Sequence, residues 1–423
     1  MIANTDCRGT PNTGLAGATL GFFIGFAAVS LFGITARHFE EVLQLGPVAT
    51  ALLIAAPALS GSLLRIPFAA WVDVNGGKKP LLVLLMLAGI GMSGITLLLY
   101  VGTSTRFLYV LFLLFALLSG CGIATFSVGI AQVTYWFTSR RLGGALGTYG
   151  GVGNLAPGLF SFLLPYSIGI LDIKGSYLVW TIFVFVGAVT YLVLARDAWY
   201  FQLRKLGAGR DEAIRRAKEL GEEFFPTGNL TKSLKNSASE WQTWGLVAIY
   251  FTSFGGFIAL TAWFPTYWQA MHQTTLVIAG TMTAIFSILA SLLRVVGGKI
   301  SDSFGGKRLT VFSLLLICVA AFILTLTNSF VLSICAVVIL ACGMGFCNAA
   351  VFKLVPLVVP DSIGGTAGWV GGIGAFGGFV IPPLMALFVK YFDTTGYARG
   401  FLLFILLGVV SLAIIRQIRS APS

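Results

Sequence analysis

The chain has 423 residues, 57% of them hydrophobic and only 10% charged, with a mean hydropathy of +0.92, a composition that no water-soluble fold keeps in solution. It reads as an integral membrane protein, and soluble-enzyme architectures are excluded. Continuous apolar runs such as 81–101 take the place of the alternating segments of about 10 residues that a β-barrel needs, so the spans are helices. The net charge of +12 has its explanation in topology, below, and does not point to nucleic acid.

In chain order, a polar start precedes an apolar run at 15–36 that is too long for a signal-peptide core and reads as a retained first helix. Further runs at 47–71, 80–102, 107–137, 142–167 and 176–196 complete six helices. A polar stretch follows at 197–240, and then runs at 242–268, 276–299, 309–327, 329–359, 364–391 and 397–416. Each run meets the roughly 20 residues that a bilayer span takes. The expected fold is all-α, with 12 transmembrane helices in two pseudo-symmetric six-helix bundles, residues 1–196 and 241–423, joined by the linker 197–240. Within the linker, the mixed-charge segment 204–225 has helical spacing of apolar residues and predicts an amphipathic helix on the inner membrane surface.

Orientation follows from the basic residues. The even-numbered connections and both tails carry 19 of the 27 Lys and Arg, whereas the odd-numbered connections carry five (Arg37, Arg106, Lys174, Lys390 and Arg399). Both termini are therefore expected in the cytoplasm.

An internal repeat divides the chain. Residues 63–79 (LLRIPFAAWVDVNGGKK) and 292–308 (LLRVVGGKISDSFGGKR) share seven of 17 positions, and 143–154 (GGALGTYGGVGN) and 364–375 (GGTAGWVGGIGA) share six of 12, all glycine. The first pair falls in the second helix of each half and the second pair in the fifth. Two like halves meeting at a central path is the plan of carriers that rock about a midplane site.

Three basic residues fall inside predicted spans: Arg65, Arg294 and Lys353. An Arg costs about 2.5–3.5 kcal/mol at a helix centre. Each Arg stands eight residues from the aspartate at its helix end, Asp73 or Asp302, hence about 12 Å deep at 1.5 Å per residue. None of the 15 acidic residues lies inside a span, so no fixed carboxylate is available to either Arg. A small flat oxyanion clamped between two guanidinium groups would supply the charge; a structural cross-link to backbone carbonyls is the competing reading. Lys353 either faces the cavity or reaches the inner surface. The stripes Gly143, Gly147, Gly151 and Gly364, Gly368, Gly372 permit backbone contact between helices and also sliding, and Asn154 shares the face of Gly143.

The loop segments DVNGGKK (73–79) and GKISDSFGGKR (298–308), with Asp73, Gly76, Lys78 and their counterparts Asp302, Gly305 and Lys307, resemble the loop signature of the major facilitator superfamily. Arg in the second and eighth helices, together with GGALGTYGGVGN and GWVGGIGAFGGF (368–379), resembles its nitrate/nitrite porter family. That resemblance implies that Arg65 and Arg294 bind nitrate or nitrite, with Asn154, Tyr250, Phe126 and Phe352 around the ion. It also implies that Gly143, Gly147, Gly150, Gly151, Gly364, Gly368, Gly371 and Gly372 form the family's glycine signatures. Counted from the helix ends, these site residues fall at one depth of about 12–18 Å. Ala375 stands where pseudo-symmetry would put a second amide, so a lopsided site is expected.

The expected function is secondary active transport of nitrate or nitrite by alternating access, in a monomer in the inner membrane, without cofactor, metal or nucleic acid. With the site empty, two guanidinium groups about 8 Å apart repel by about 2 kcal/mol at an effective dielectric near 20, which favours exchange of nitrate for nitrite. Lys353, in VFKLVP (351–356), resembles the position associated with proton co-transport and makes nitrate–proton symport the first expectation, with exchange as the alternative. Transport of another anion, such as an organic carboxylate, and a nitrate-sensing receptor are the remaining alternatives. No nucleophile with a base, metal-ligand cluster or phosphate loop points to an enzyme.

Overall fold

The structure is a computed structural model that describes residues 7–101, 106–226, 230–359 and 363–418. Arg419 and the side chains of Arg106 and Lys232, which entered the charge count, lie outside the described residues.

Every regular element among the described residues is helical. Ten helices are long and apolar enough to cross a membrane: Pro11–Ile34, Pro47–Asn75, Lys78–Val101, Phe107–Trp136, Arg140–Leu194, Trp241–His272, Leu276–Phe304, Gly306–Leu326, Phe330–Val358 and Gly364–Arg399. Arg140–Leu194 holds two spans, because Asp172 (φ 56°, ψ −173°) breaks it. There the Asp172 carboxylate accepts the N–H of Gly175 at 2.9 Å and starts the next helix. With Leu402–Gln417 as the last, the described residues hold twelve spans, numbered below in chain order. Proline marks starts at Pro11 and Pro47, where its missing N–H costs nothing. Gly76 (φ 81°) and Gly305 (φ 85°) end the second and eighth spans in a backbone region that side chains avoid.

The apolar side chains gather into two cores. One draws its fully buried members from residues 18–217, and the other from 246–418 together with Ala51. The signature loops, the residues just before the first span and Ile418 just after the last share one face, here called the terminal face. On it, each loop grips the segment after the last span of its own half. The Lys78 N–H donates to the Asp197 carboxylate at 2.8 Å, and Lys205 pairs with the other oxygen at 2.6 Å. A Cβ on Gly76 would lie 2.5 Å from that same carboxylate. In the second half Lys307 Nζ donates to the Ile418 carbonyl at 2.6 Å.

The linker differs from the sequence expectation. Instead of one helix lying against lipid, it forms Trp199–Lys205 and Arg210–Glu219, separated at Gly207 (φ 95°), and then Leu230–Ser239. The first two dock on the first core through Tyr200, Phe201, Leu203, Ala213 and Ala217. The first presents large aromatic and aliphatic side chains and the second a face of alanines that lets it approach closely, so both apolar faces are covered by protein. The third lies against the eleventh span, where Trp369 Nε1 donates to the Leu234 carbonyl at 3.0 Å.

Glu222 fastens the first part of the linker. Its carboxylate is buried and accepts the N–H groups of Trp199 at 2.5 Å and Tyr200 at 3.2 Å. Burial outweighs these bonds and raises its pKa from 4.5 to about 8. Since the folded value lies above the unfolded one, the docked linker holds the proton more tightly, and docking weakens as pH rises from about 4.5 to about 8 and then levels off. Amide hydrogen exchange across 199–225, corrected for intrinsic rates, is expected to accelerate from about pH 5 to about pH 8 and to change little above it, and Glu222→Gln to remove that dependence.

Candidate substrate site between the bundles

The two bundles meet at the face opposite the termini. A Cβ on Gly33 of the first span would lie 2.7 Å from the Ala262 carbonyl of the seventh, and one on Gly280 of the eighth 2.3 Å from the Ser161 carbonyl of the fifth. Toward the terminal face the halves diverge: Gly143, Gly147, Gly150 and Gly364 have open space where a Cβ would stand. This corrects the packing role expected for the glycine stripes. Only their inner members meet the other half, Gly151 at Val295 (2.9 Å) and Gly372 at Ile66 (3.1 Å). The physical reason is the splay of the bundles, which leaves the outer glycines facing a cleft.

At the floor of the cleft stand Arg65 and Arg294. Arg65 is 1% exposed and reaches from the first bundle to the second, where Nη1 donates to the Gly371 carbonyl at 2.7 Å. Its Nε and Nη2, and Nη1 of Arg294, are buried with no protein acceptor. Among the described residues the ion pairs are Lys205–Asp197, Arg216–Glu212 and Lys353–Asp302, so neither Arg has a carboxylate partner.

Aromatic rings take part of that role. The Arg65 guanidinium carbon lies 4.8 Å from the ring centre of Phe126 and 5.2 Å from that of Phe254, and that of Arg294 lies 5.4 and 5.3 Å from the same two rings. Phe352 adds a contact to Arg294 at 5.9 Å. Tyr250 stacks on Phe254 at 4.9 Å and meets Phe352 edge-on at 5.1 Å. Its hydroxyl lies beside both guanidinium groups without a well-formed hydrogen bond. Cation–π contacts of this kind contribute about 0.5–2 kcal/mol each.

Local helix distortions aim these side chains. The second span turns at Leu64, next to Arg65. The fourth tightens to a 3₁₀ turn over Cys121–Ala124 just before Phe126, and the seventh widens to a π turn over Phe251–Gly255 between Tyr250 and the end of the Phe254 turn. Such irregular turns are frequent at functional sites.

The structure thus brings together Arg65, Arg294, Phe126, Tyr250 and Phe352, and sets Asn154 on a small cavity with Arg294. It does not bring Lys353 there: its ammonium pairs with Asp302, and both side chains are exposed. Asp73 accepts a hydrogen bond from the Tyr135 hydroxyl at 2.6 Å. Two residues escaped the sequence reading. Phe254 is four positions past Tyr250, hence one turn on along the same face. Asn348 is four before Phe352 and lines the cavity with Asn154. It supplies a second amide, from the tenth span, so the lopsidedness expected from Ala375 is one of helix origin and not of amide number.

The chain matches the Major Facilitator Superfamily over residues 18–382 and 274–420. It is 30% identical over 397 residues, 87% of this chain and 83% of the relative, to a Thermus thermophilus protein named probable nitrate/nitrite antiporter NarK1. It is 27% identical over 403 residues, 93% of both chains, to the probable nitrate transporter NarT of Staphylococcus epidermidis. In fold alone it is similar to a partially occluded, inward-open structure of the xylose transporter XylE from E. coli, with a TM-score of 0.73 over 96% of this chain and 97% of that chain at 13% identity. The fold and the paired arginines at the bundle interface define a membrane transporter, not an enzyme. The chain belongs to the nitrate/nitrite porter family of the major facilitator superfamily.

Phe254 is buried against both guanidinium groups, whereas Phe352 is half-buried and touches one. Phe254→Leu is therefore expected to destabilise the purified protein by about 2 kcal/mol, through two lost cation–π contacts and lost stacking. Phe352→Leu should cost less than half of that, as read by thermal unfolding in detergent.

Proposed function

We propose that this chain carries nitrate and nitrite across the cytoplasmic membrane by alternating access, as a monomer, with its terminal face in the cytoplasm. The observation that carries this reading is the pair of guanidinium groups, one from each bundle, that share two phenylalanine rings and have no carboxylate partner. A planar oxyanion fits such a pair because its in-plane oxygens accept forked hydrogen bonds while rings cover its faces. The names of the relatives support the same substrates. The divergence of the bundles at the terminal face then corresponds to an inward-facing arrangement.

We further propose exchange as the mode of coupling. Closing the bundles around an empty site would bury two like charges with unsatisfied donors, while an anion relieves both penalties, so the loaded carrier crosses and the empty one does not. Lys353, the residue on which proton symport rested, is engaged by Asp302 on the exposed side of the helix. Its Asp302 partner leaves symport as the second reading, in which that pair opens and closes during the cycle.

The deciding experiment is uptake of labelled nitrate into proteoliposomes, with internal nitrite and an imposed pH gradient varied separately. Internal nitrite is expected to drive uptake and a pH gradient alone to fail; uptake driven by the gradient without internal anion would reverse the assignment of coupling. Excess organic carboxylate should not compete with the label.

Two substitutions probe the parts. Arg65→Lys keeps the charge and loses the fork, and counterflow should fall by at least about tenfold, the worth of a charge-assisted hydrogen bond. Lys353→Gln should leave counterflow within about twofold of wild type, because an exposed ion pair contributes little; its loss would return Lys353 to the mechanism.

A further inference from the structure

Tyr149 stands in the middle of the glycine run 143–154 of the fifth span and is fully buried. Its hydroxyl lies 3.0 Å from the Thr125 carbonyl and 2.9 Å from the Phe126 carbonyl of the fourth span. A phenol has one hydrogen to donate, so the two carbonyls share it. Both belong to the first turn after the 3₁₀ segment Cys121–Ala124, the turn from which the Phe126 ring emerges. Gly129, one turn further along the fourth span, makes the contact possible: a Cβ there would lie 2.1 Å from the Tyr149 hydroxyl oxygen.

The rings are packed in the same sense. Tyr149 stacks on Phe126 with centres 6.3 Å apart, and Phe22 of the first span meets both, at 5.1 Å from Tyr149 and 5.3 Å from Phe126. Phe22 can lie there because residue 153 is glycine, where a Cβ would stand 1.8 Å from its ring. Phe126 is thus held both through its own carbonyl and through its ring. That ring lies 4.8 Å from the Arg65 guanidinium carbon and 5.4 Å from that of Arg294. Tyr149 has no donor left for an anion, since its one hydrogen is engaged by protein carbonyls. Its route to the site runs through Phe126.

A guanidinium group held against an aromatic face keeps the plane of its donor fork. A fork already oriented loses less freedom when a planar anion binds it, and affinity rises accordingly. We propose that Tyr149 is a positioning residue that fixes Phe126 against both guanidinium groups and so keeps their forks oriented for nitrate. The inference rests on the nitrate and nitrite reading above and adds to it a residue that arranges the arginine pair without touching the anion.

The test is a double-substitution cycle on the purified full-length protein, with nitrate affinity read by competition against labelled nitrate and stability read separately by thermal unfolding. Tyr149→Phe keeps the ring and removes the hydroxyl, and is expected to weaken nitrate binding about fivefold, the worth of one hydrogen bond. In a Phe126→Leu background no ring remains to be positioned, and the same substitution should change the affinity by less than about twofold. A tyrosine that only supported the fold would lower the affinity by the same factor in both backgrounds. That result overturns the proposal, as does an unchanged affinity in Tyr149→Phe alone. Should Tyr149→Phe fail to accumulate, Gly129→Ala, whose methyl group displaces the hydroxyl, provides the same cycle with the same outcomes. Failure of the wild type to bind nitrate or nitrite would instead overturn the substrate reading, and the assignment of Tyr149 with it.

Discussion

Two permanently charged side chains at a bundle interface, Arg65 buried and Arg294 half-buried, without a carboxylate partner among the described residues, are the constraint that the remainder of this structure accommodates. Insertion alone costs about 2.5–3.5 kcal/mol for each Arg on a translocon scale. Five ring contacts within 6 Å and one carbonyl hydrogen bond return part of that. They do not fill the remaining donors, since Arg65 Nε and Nη2 and Arg294 Nη1 still lack acceptors. The Gly371 contact occupies one Arg65 nitrogen and leaves the opposite edge, Nε with Nη2, as an open fork. A structural cross-link to backbone carbonyls therefore engages one of the three guanidinium nitrogens of Arg65 and does not engage the buried Nη1 of Arg294.

Holding flat rings against both guanidinium groups demands side chains at angles that regular helices do not provide. The tightened turn at Cys121–Ala124 and the widened one at Phe251–Gly255 change the rotation of the helix just where Phe126 and Phe254 emerge. Close backbone approach makes room for this: a Cβ on Gly255 would lie 2.7 Å from the Gly374 carbonyl, and one on Gly374 2.7 Å from the Tyr250 ring. The distortions are shared out unevenly between the halves, although the arginines themselves obey the repeat. Pseudo-symmetry thus governs the charges, and departures from it govern the aromatic and amide surround.

How much of this could be read from residues alone depends on the physical origin of each feature. The twelve apolar runs and the arginine pair were legible because both rest on the cost of placing polar groups in hydrocarbon, which composition reports directly. Phe254 was within reach, being a turn from Tyr250 in YFTSFGGF, but among 35 phenylalanines a single ring carries no signal without its neighbours. Asn348 was missed for a different reason: the search for a second amide followed the repeat to Ala375, and the structure supplies it from another helix. The docking of 199–219 was hidden because an apolar face, whether of Tyr200, Phe201 and Leu203 or of Ala213 and Ala217, looks the same in sequence when covered by protein as when lying on lipid. The glycine stripes were read as contacts, yet whether they touch anything depends on which way the bundles are splayed, and sequence is silent on that.

The two loop clamps bear on how such a molecule can move. Lys78 and Lys307 occupy equivalent positions of the repeat, and each ties the start of the third span of its half to the segment just beyond the sixth. The chemistry differs, an aspartate accepting a backbone N–H in one half and a carbonyl accepting an ammonium in the other, but the mechanical result is the same. Asp73–Tyr135 and Asp302–Lys353 add a second tie, joining the second span of each half to the fourth. Each half is thereby braced at the terminal face by bonds internal to it, whereas the contacts between halves described here are the Arg65–Gly371 and Ser291–Asn154 hydrogen bonds and close helix packing. A relative motion of the halves then has to remake few polar contacts, and one of those belongs to Arg65, the arginine proposed above to bind the substrate. In such an arrangement the occupancy of the site and the position of the bundles are coupled through the same guanidinium group.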